Sequence, residues 1–350
     1  MTANIDGDSR REERLQDVKR SAEKLRGANG ATKWNWGPVE KATPETGYYG
    51  SPVLKKPAWT WEVPLYFFVG GAAGAAALLG SVGKFSGASR RLVRDAQWLA
   101  AIGGAISPAL LISDLGVPSR FLNMLRVFKA QSPMSVGSWT LVAFSGSAAA
   151  AATLAEWEQR SARRFPVLSD AAEISAALTG LILSTYTGVL VGASAVPVWN
   201  RNVSLLPVHF ATSGLAAASA MLELRGNESG PLNALGLMAS AAETGIGAKL
   251  ELHRGAATEP LRRGASGWTM RMAGFLSGPL PLMLRLLSLG AGHERKRKLR
   301  RAAAISSIAG SLVTRFAWMG AGHASAKDPR PVLQMPETER KETLPLASDA

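Results

Sequence analysis

The residues best suited to chemistry lie in one segment, residues 113–129, between two long apolar stretches. It opens with a carboxylate, Asp114, and continues with Arg120, Asn123 and Lys129 at near-helical spacing. Ionisable groups at the edge of a bilayer are costly and are by default candidates for function. Such a cluster is able to exchange protons with a bound ligand and to hydrogen-bond it. The alternative is an interfacial loop whose cations extend toward lipid headgroups.

The apolar stretches around this segment predict a protein that crosses the membrane several times. Hydrophobic residues make up 47% of the 350 residues and charged residues 19%, and the charges cluster between apolar runs. Runs of about 18–25 residues match the length that a helix needs to cross a bilayer. The sequence therefore predicts an all-α integral membrane protein with a bundle of about eight transmembrane helices. The predicted spans are approximately 64–82, 96–113, 136–155, 174–198, 203–222, 231–248, 267–290 and 302–322.

Two local patterns add detail to these spans. Gly70 and Gly74 form a small-residue face in the first span, which predicts close contact with a neighbouring helix. Pro279 and Pro281 lie within the seventh span, where we expect them to bend the helix.

The transmembrane domain is predicted to occupy residues 47–326. Residues 1–46 and 327–350 are polar tails that we expect to be disordered, because they lack apolar periodicity. The net charge of +14 lies mostly in tails and short loops, where anionic lipid explains it better than nucleic acid does. The sequence contains no cysteine, which excludes disulfides and thiolate-held iron–sulfur clusters in this chain. Counting Lys and Arg in the loops leaves the membrane orientation open, because the basic N-terminal tail reverses the result.

An even number of spans puts both termini on one side of the membrane, which we call the A face; the opposite side is the B face. Glu62, Asp114, Arg120 and His209 are predicted to gather at the A face, since each lies at the corresponding end of a span. A mixture of acids, bases and aromatic residues at an interface suits a quinone headgroup, whose reduction needs nearby proton donors. Haem requires pairs of histidines on facing helices, and of the four histidines only His209 and His323 could both lie near the A face. A lone histidine packed among helices is the favoured interpretation over a single haem there, so neither haem nor an iron–sulfur cluster is expected in this chain.

A second candidate site lies deeper. Glu243 and Arg315 fall at similar depths in the sixth and eighth spans, and we expect them to form a buried ion pair. Arg271 is a possible third member, or it extends to the interface from a helix end. The pair is either part of a buried polar path for protons or a fixed tie between two helices.

Four segments, taken in their order along the chain, resemble the polysulfide reductase membrane-subunit family (NrfD/PsrC-like). The first is DLGVPSR at 114–120, continuing through NMLRVFK at 123–129 to SPMSVGSW at 132–139. The others are YYGSPVLK at 48–55 with WEVPLYFF at 61–68, STYTGVL at 184–190 with VPVW at 196–199, and the region from Arg315 to KDP at 327–329.

The resemblance implies an eight-helix, quinone-reactive subunit that lacks a redox centre of its own. Its implied partners are a ferredoxin-like iron–sulfur subunit with four-iron clusters, a molybdopterin oxidoreductase catalytic subunit and the lipid membrane, with no nucleic acid. Carried onto this chain, it implies site roles for Glu62, Tyr66, Asp114 with Arg120, and Tyr186. Family members often place a histidine or another polar group near the first of these positions, and in this chain that group is Glu62.

The sequence therefore predicts a quinone-binding anchor of an oxidoreductase complex in the prokaryotic cytoplasmic membrane, taking menaquinone or ubiquinone. Asp114 and Glu62 would exchange protons with the quinone headgroup, while Arg120 and Asn123 would stabilise the reduced or anionic quinone or shape a docking surface. Two alternatives remain at this point: a secondary transporter, and a structural anchor without quinone chemistry. The electron donor and any coupling to proton translocation are not specified by the sequence.

Overall fold

A computed structural model describes residues 54–55, 57–115, 117–161, 164–253, 255–328 and 330–333. The tail predicted at 1–46 lies outside the described residues. The predicted C-terminal tail, residues 327–350, is described only as far as residue 333, and in that part Arg330–Leu333 form a short helix.

The described residues form twelve α-helices and contain no β-strand, as the sequence predicts. The helices are α1 Glu62–Phe85, α2 Arg90–Asp114, α3 Arg120–Met124, α4 Pro133–Arg160, α5 Pro166–Gly192, α6 Pro197–Asn200, α7 Leu205–Leu224, α8 Gly230–Leu252, α9 Gly264–Ser277, α10 Pro279–Leu289, α11 His293–Ser325 and α12 Arg330–Leu333. A 3₁₀ turn, Ala256–Leu261, connects α8 to α9.

Seven helical segments of the described chain are long and apolar enough to cross a membrane. Here α9 and α10 together form one segment, Gly264–Leu289. The sixth predicted span corresponds to α8, which is 23 residues long but is not one of the seven. Its sequence is less apolar because Asn233 and Glu243 interrupt it. Both side chains are buried against other helices, so the polar groups of α8 face the interior of the protein.

Short polar signals set where the long helices begin. The hydroxyl oxygens of Ser89, Ser132 and Ser229 accept hydrogen bonds from backbone N–H groups in the first turns of α2, α4 and α8. Each of these bonds satisfies a donor that has no partner within its helix. Proline occupies the first turn of α4, α5, α8 and α10, where its missing N–H costs nothing.

The long helices form two adjoining groups. In the first bundle α1, α2, α4 and α5 pack together, and in the second bundle α7 packs with α8 and α11 while α9 and α10 cover α8 and α11. The bundles meet where α7 contacts α1 and α5. Glycines allow this approach: a Cβ atom added to Gly214 on α7 would lie 2.9 Å from the carbonyl oxygen of Gly71 on α1.

The seventh predicted span is broken between α9 and α10. Gly278 separates the two helices with φ −107° and ψ −93°, and Pro279 and Pro281 follow at the start of α10. The bend predicted from these prolines is therefore confirmed. Gly278 lies against α8, since an added Cβ atom would fall 2.9 Å from the backbone nitrogen of Thr244. The break thus faces the same part of α8 that carries Glu243.

The small-residue face predicted for the first span is confirmed at Gly74, which packs against Gly180 of α5. A Cβ atom at position 74 would lie 2.3 Å from the Gly180 carbonyl oxygen, so a larger residue must separate the helices. We expect Gly74→Ala to lower the unfolding free energy by about 1–3 kcal/mol, measured by thermal unfolding of the purified chain. Gly146→Ala on α4 is the matched control, because no atom lies within 4 Å of its added Cβ. Equal thermal midpoints for the two variants would contradict this account of the contact.

Candidate functional site

The centre of the candidate site is the carboxylate of Glu243, which is 1% exposed. Its Oε1 accepts a hydrogen bond from the Thr212 hydroxyl at 2.8 Å. Its Oε2 accepts one from the Ser277 hydroxyl at 3.0 Å and lies 3.2 Å from Nε2 of His209. Three helices, α7, α8 and α9, therefore contribute to one buried carboxylate. A buried charge is tolerated when it is paired and hydrogen-bonded in this way.

A tryptophan determines which nitrogen of His209 faces the carboxylate. The indole Nε1–H of Trp318, on α11, lies 3.2 Å from His209 Nδ1. An indole nitrogen is only a donor, so Nδ1 must accept and the proton of the neutral ring must be on Nε2. Nε2–H then donates to Glu243. Trp318 is itself held in place, because its backbone carbonyl accepts a hydrogen bond of 2.8 Å from the indole of Trp199.

His209 and Glu243 form the inner end of a pocket of about 310 Å³ between α8, α9 and α11. Its walls are mostly apolar, and the side chains that form them are Leu250, Leu261, Met270, Phe275 and Pro279. Phe275 is 51% exposed, which places that wall at the outer surface of the helices. A mostly apolar pocket with a few convergent polar groups is the usual form of a small-molecule site.

Arg271 lies at the outer end of this pocket and is not buried. Its guanidinium binds the Glu251 carboxylate at 2.6 Å, and the two side chains are 57% and 44% exposed. The prediction that Arg271 joins a buried polar path is wrong, because the side chain is exposed and paired at the surface. Arg271 is the eighth of the fourteen residues of α9, so it lies in the middle of that helix and not at its end.

The predicted ion pair between Glu243 and Arg315 is also wrong. Within the described residues no ion pair of 4 Å or less joins them. Arg315 is fully buried, donates a hydrogen bond of 2.8 Å to the Phe210 carbonyl and places Cζ 4.0 Å from the centroid of the Phe210 ring. Its Nε and Nη1 have no partner among the described groups. The pairing failed because hydroxyls and an imidazole already satisfy Glu243, while Arg315 is turned toward Phe210 and Gly71.

The predicted A-face cluster is only partly assembled. The Thr60 hydroxyl donates to Asp114 Oδ1 at 2.7 Å and also contacts the Glu62 carboxylate, so these two acids do meet. His209 does not join them, because it is buried with Glu243 and Trp318. Asn123 is exposed on the short helix α3, and the Arg120 side chain lies outside the described groups.

Tyr66 and Tyr186 are buried in the first bundle, whereas the pocket lies in the second. Tyr66 is 2% exposed and packs near Gly70 of the same helix. Tyr186 lies directly over Gly137 of α4, whose added Cβ atom would fall 1.8 Å from the phenol ring. The structure therefore gives both tyrosines a packing role and brings neither to the pocket that His209 and Glu243 define.

Sequence reasoning missed several buried acids toward the B face. Glu223 forms an ion pair with fully buried Arg285 at 2.7 Å, and Asp95 forms one with Arg225 at 2.9 Å. It also missed the pairing of His209 with Glu243. In the sequence, Thr212 lies three residues after His209, which puts a second polar side chain on the same helical face. That spacing indicates a buried polar contact on this face but does not identify Glu243 as the partner.

The geometry around Trp318 predicts that its indole selects the tautomer of His209. In Trp318→Phe the Nε1–H donor is lost, so we expect the ring to populate both neutral tautomers instead of mainly the Nε2–H form. Nitrogen NMR of ¹⁵N-histidine-labelled protein measures this, and the sequence has only four histidines to assign. Trp268→Phe is the control, since that side chain is 66% exposed. An unchanged His209 spectrum in Trp318→Phe would show that Trp318 does not select the tautomer.

Comparison with known proteins identifies a family for this chain. The family model described as polysulphide reductase, NrfD, matches residues 53–248, which is more than half of the chain. The matched region runs from the start of the first bundle to α8, so it includes His209 and Glu243. None of the curated proteins matches the chain. The chain belongs to the polysulphide reductase NrfD family, whose members are membrane subunits of quinone-linked oxidoreductases.

Proposed function

We propose that this chain is the quinone-binding membrane subunit of a multi-subunit oxidoreductase in the prokaryotic cytoplasmic membrane. It would pass electrons between an iron–sulfur partner and the membrane quinone pool, menaquinone or ubiquinone. The observation that carries the proposal is the apolar pocket that ends at His209 and Glu243. Family membership supports the same assignment.

The pocket has the size and chemistry for a quinone headgroup. Its volume of about 310 Å³ is at the lower end of the range for small-molecule sites, which suits a substituted ring but not a long isoprenoid chain. That chain would leave past exposed Phe275 into lipid. A quinone takes up two electrons and two protons on reduction, and its carbonyl oxygens accept hydrogen bonds. When a quinone binds, His209 Nε2–H, which donates to Glu243 in this structure, would also reach the inner carbonyl oxygen, and Glu243 in its protonated form would pass a proton to that oxygen on reduction and take it back on oxidation.

The electrons must come from outside this chain. The sequence has no cysteine to hold an iron–sulfur cluster, so the proposal requires a partner that does. We assign this role to a ferredoxin-like subunit with four-iron clusters, itself joined to a molybdopterin oxidoreductase catalytic subunit. The A-face surface formed by Thr60, Glu62, Asp114 and α3 is the proposed docking region. Asp114 and Glu62, which share the Thr60 hydroxyl, are placed to exchange protons with water there.

Glu243 gives the sharpest test of the pocket. Glu243→Gln keeps the shape of the side chain but no longer binds a proton reversibly. We expect quinone-coupled turnover of the intact complex to fall by about 10²–10⁴-fold, with the complex still assembled. Glu156→Gln is the control, because Glu156 pairs with Arg160 on the surface of α4, away from the pocket. Unchanged turnover in Glu243→Gln would assign the carboxylate a structural role.

Asp114 is tested in the same assay. Asp114→Asn removes the acid but preserves an oxygen that accepts the Thr60 hydrogen bond. We expect turnover to fall while binding of a photoreactive quinone analogue to the His209 region is retained. If both turnover and assembly with the iron–sulfur partner are unaffected, the A-face carboxylate takes part in neither proton exchange nor docking.

A secondary transporter is a second candidate, and one observation favours it. The break between α9 and α10 lies beside a buried carboxylate, an arrangement that transporters use at substrate sites. Purification from the native membrane distinguishes the candidates. Recovery with an iron–sulfur protein and bound quinone supports the oxidoreductase subunit. Recovery alone, with substrate uptake into liposomes that depends on Glu243, supports the transporter, and recovery with the iron–sulfur protein but without quinone supports a structural anchor.

A further inference from the structure

A second large pocket lies at the B-face end of the first bundle, far along the chain from the residues of the quinone pocket. Its volume is about 430 Å³, and it is enclosed by the ends of α1 and α4 and the first turns of α2 and α5. Four cations line it: Lys84, Arg90, Arg94 and Arg164. Three carboxylates, those of Glu158, Asp170 and Glu173, also line it.

The carboxylates of this pocket are already occupied by partners from the protein. Glu173 is 3% exposed and binds both Lys84, at 2.6 Å, and the side-chain amide of Gln97. Asp170 binds Lys84 at 2.8 Å. Glu158 accepts a hydrogen bond of 2.8 Å from the backbone N–H of Phe165. The Lys84 ammonium group is therefore paired with both Asp170 and Glu173 and is not available to bind a ligand.

The three arginines of the pocket have no such partner. Within the described part of the chain the Arg90, Arg94 and Arg164 guanidinium groups form no hydrogen bond or ion pair with the protein, and all three residues are exposed at the mouth of the pocket. Arg90 and Arg94 are one turn apart on α2, and Arg164 lies directly before α5 on the other side of the pocket. Several unmatched guanidiniums around one space favour an anion with several acceptor oxygens, and phosphate is the usual one.

The surroundings of these arginines are those of a membrane interface. Trp98 follows Arg94 by one turn on α2 and is 38% exposed, and Trp157 adjoins Glu158 on α4 and is 61% exposed. Exposed tryptophans of this kind mark the headgroup level of a bilayer. Phe165 and Val167 add exposed apolar surface beside Arg164, at 41% and 82%. The pocket therefore opens where lipid phosphates are concentrated.

We propose that this pocket is a specific site for the phosphate headgroup of an anionic phospholipid. Arg94 and Arg164 hold the phosphate from opposite sides, Arg90 contributes from the rim, and the acyl chains lie along α2 and α4 beside Trp98 and Trp157. Basic pockets between membrane helices bind anionic headgroups by this combination of charge and shape. The bound lipid would join the loop after α1 to the loop before α5, and so fasten the first bundle at its B-face end.

Native mass spectrometry of the purified full chain tests the site with phosphatidylglycerol and with phosphatidylcholine of the same acyl chains. We expect one phosphatidylglycerol to be retained in preference to phosphatidylcholine. In Arg94→Gln/Arg164→Gln its affinity should fall at least about tenfold, since each cation near a headgroup contributes on the order of 1 kcal/mol. Arg295→Gln/Arg297→Gln removes the same charge from the exposed start of α11, outside the pocket, and should change the affinity less than about threefold.

Two more measurements distinguish a specific lipid site from general attraction between charges and from a site for free phosphate. Arg94→Lys/Arg164→Lys preserves the charge and should bind more tightly than the glutamine variant, which shows that the pocket remains folded. A large excess of inorganic phosphate should leave phosphatidylglycerol bound. Equal losses in the pocket and α11 variants, equal retention of the two lipids, or displacement by inorganic phosphate would each overturn the proposal.

Discussion

The cost of burying one carboxylate organises the second bundle. Glu243 lies in the interior of a membrane protein, where an unpaired ionised group is far more costly than in water. Its stabilisation requires the Thr212 hydroxyl from α7, the Ser277 hydroxyl from α9 and the His209 imidazole at once. These contacts fix how α7, α8 and α9 approach each other. They also depend on the helix break at Gly278, because Ser277 is the last residue before it.

Another buried charge of the same bundle is stabilised by a different route. Arg285 is fully buried and binds Glu223 through two nitrogens, while Asn233 accepts a further hydrogen bond from it. Gly236 makes room for this guanidinium, since an added Cβ atom would lie 2.2 Å from its Cζ. Here the cation has a carboxylate partner, whereas Arg315 has none within the described residues, and Glu223 is paired with a second cation, Arg300. A site for chemistry is therefore better assigned to Glu243 than to the more completely neutralised Glu223.

The fold was largely predictable from the sequence, and the partners of the buried groups were not. Apolar runs of sufficient length marked the spans, and Pro279 and Pro281 marked the break, because both properties are local. Tertiary packing decided the rest. Depth along a helix can be counted from the sequence, so Glu243 and Arg315 were placed at similar depths, but the direction in which each side chain points depends on neighbouring helices. His209 satisfied Glu243 because α7 packs beside α8, which no local pattern encodes.

Burial also distinguishes the exposed acids of the A face from Glu243 in the pocket, because it determines how many hydrogen bonds change when a proton is gained or lost. Asp114 and Glu62 share the hydroxyl of Thr60, which is exposed, so water can solvate whichever carboxylate lacks it. Glu243 has no such substitute: losing or gaining a proton alters its bonds to His209, Thr212 and Ser277 together. Under the proposed function, a ligand that enters the pocket and hydrogen-bonds this pair would be coupled to proton position, whereas the exposed acids would exchange protons with bulk water. This difference, set by burial, is the physical reason for proposing that the quinone binds in the pocket and that the A face contacts solvent.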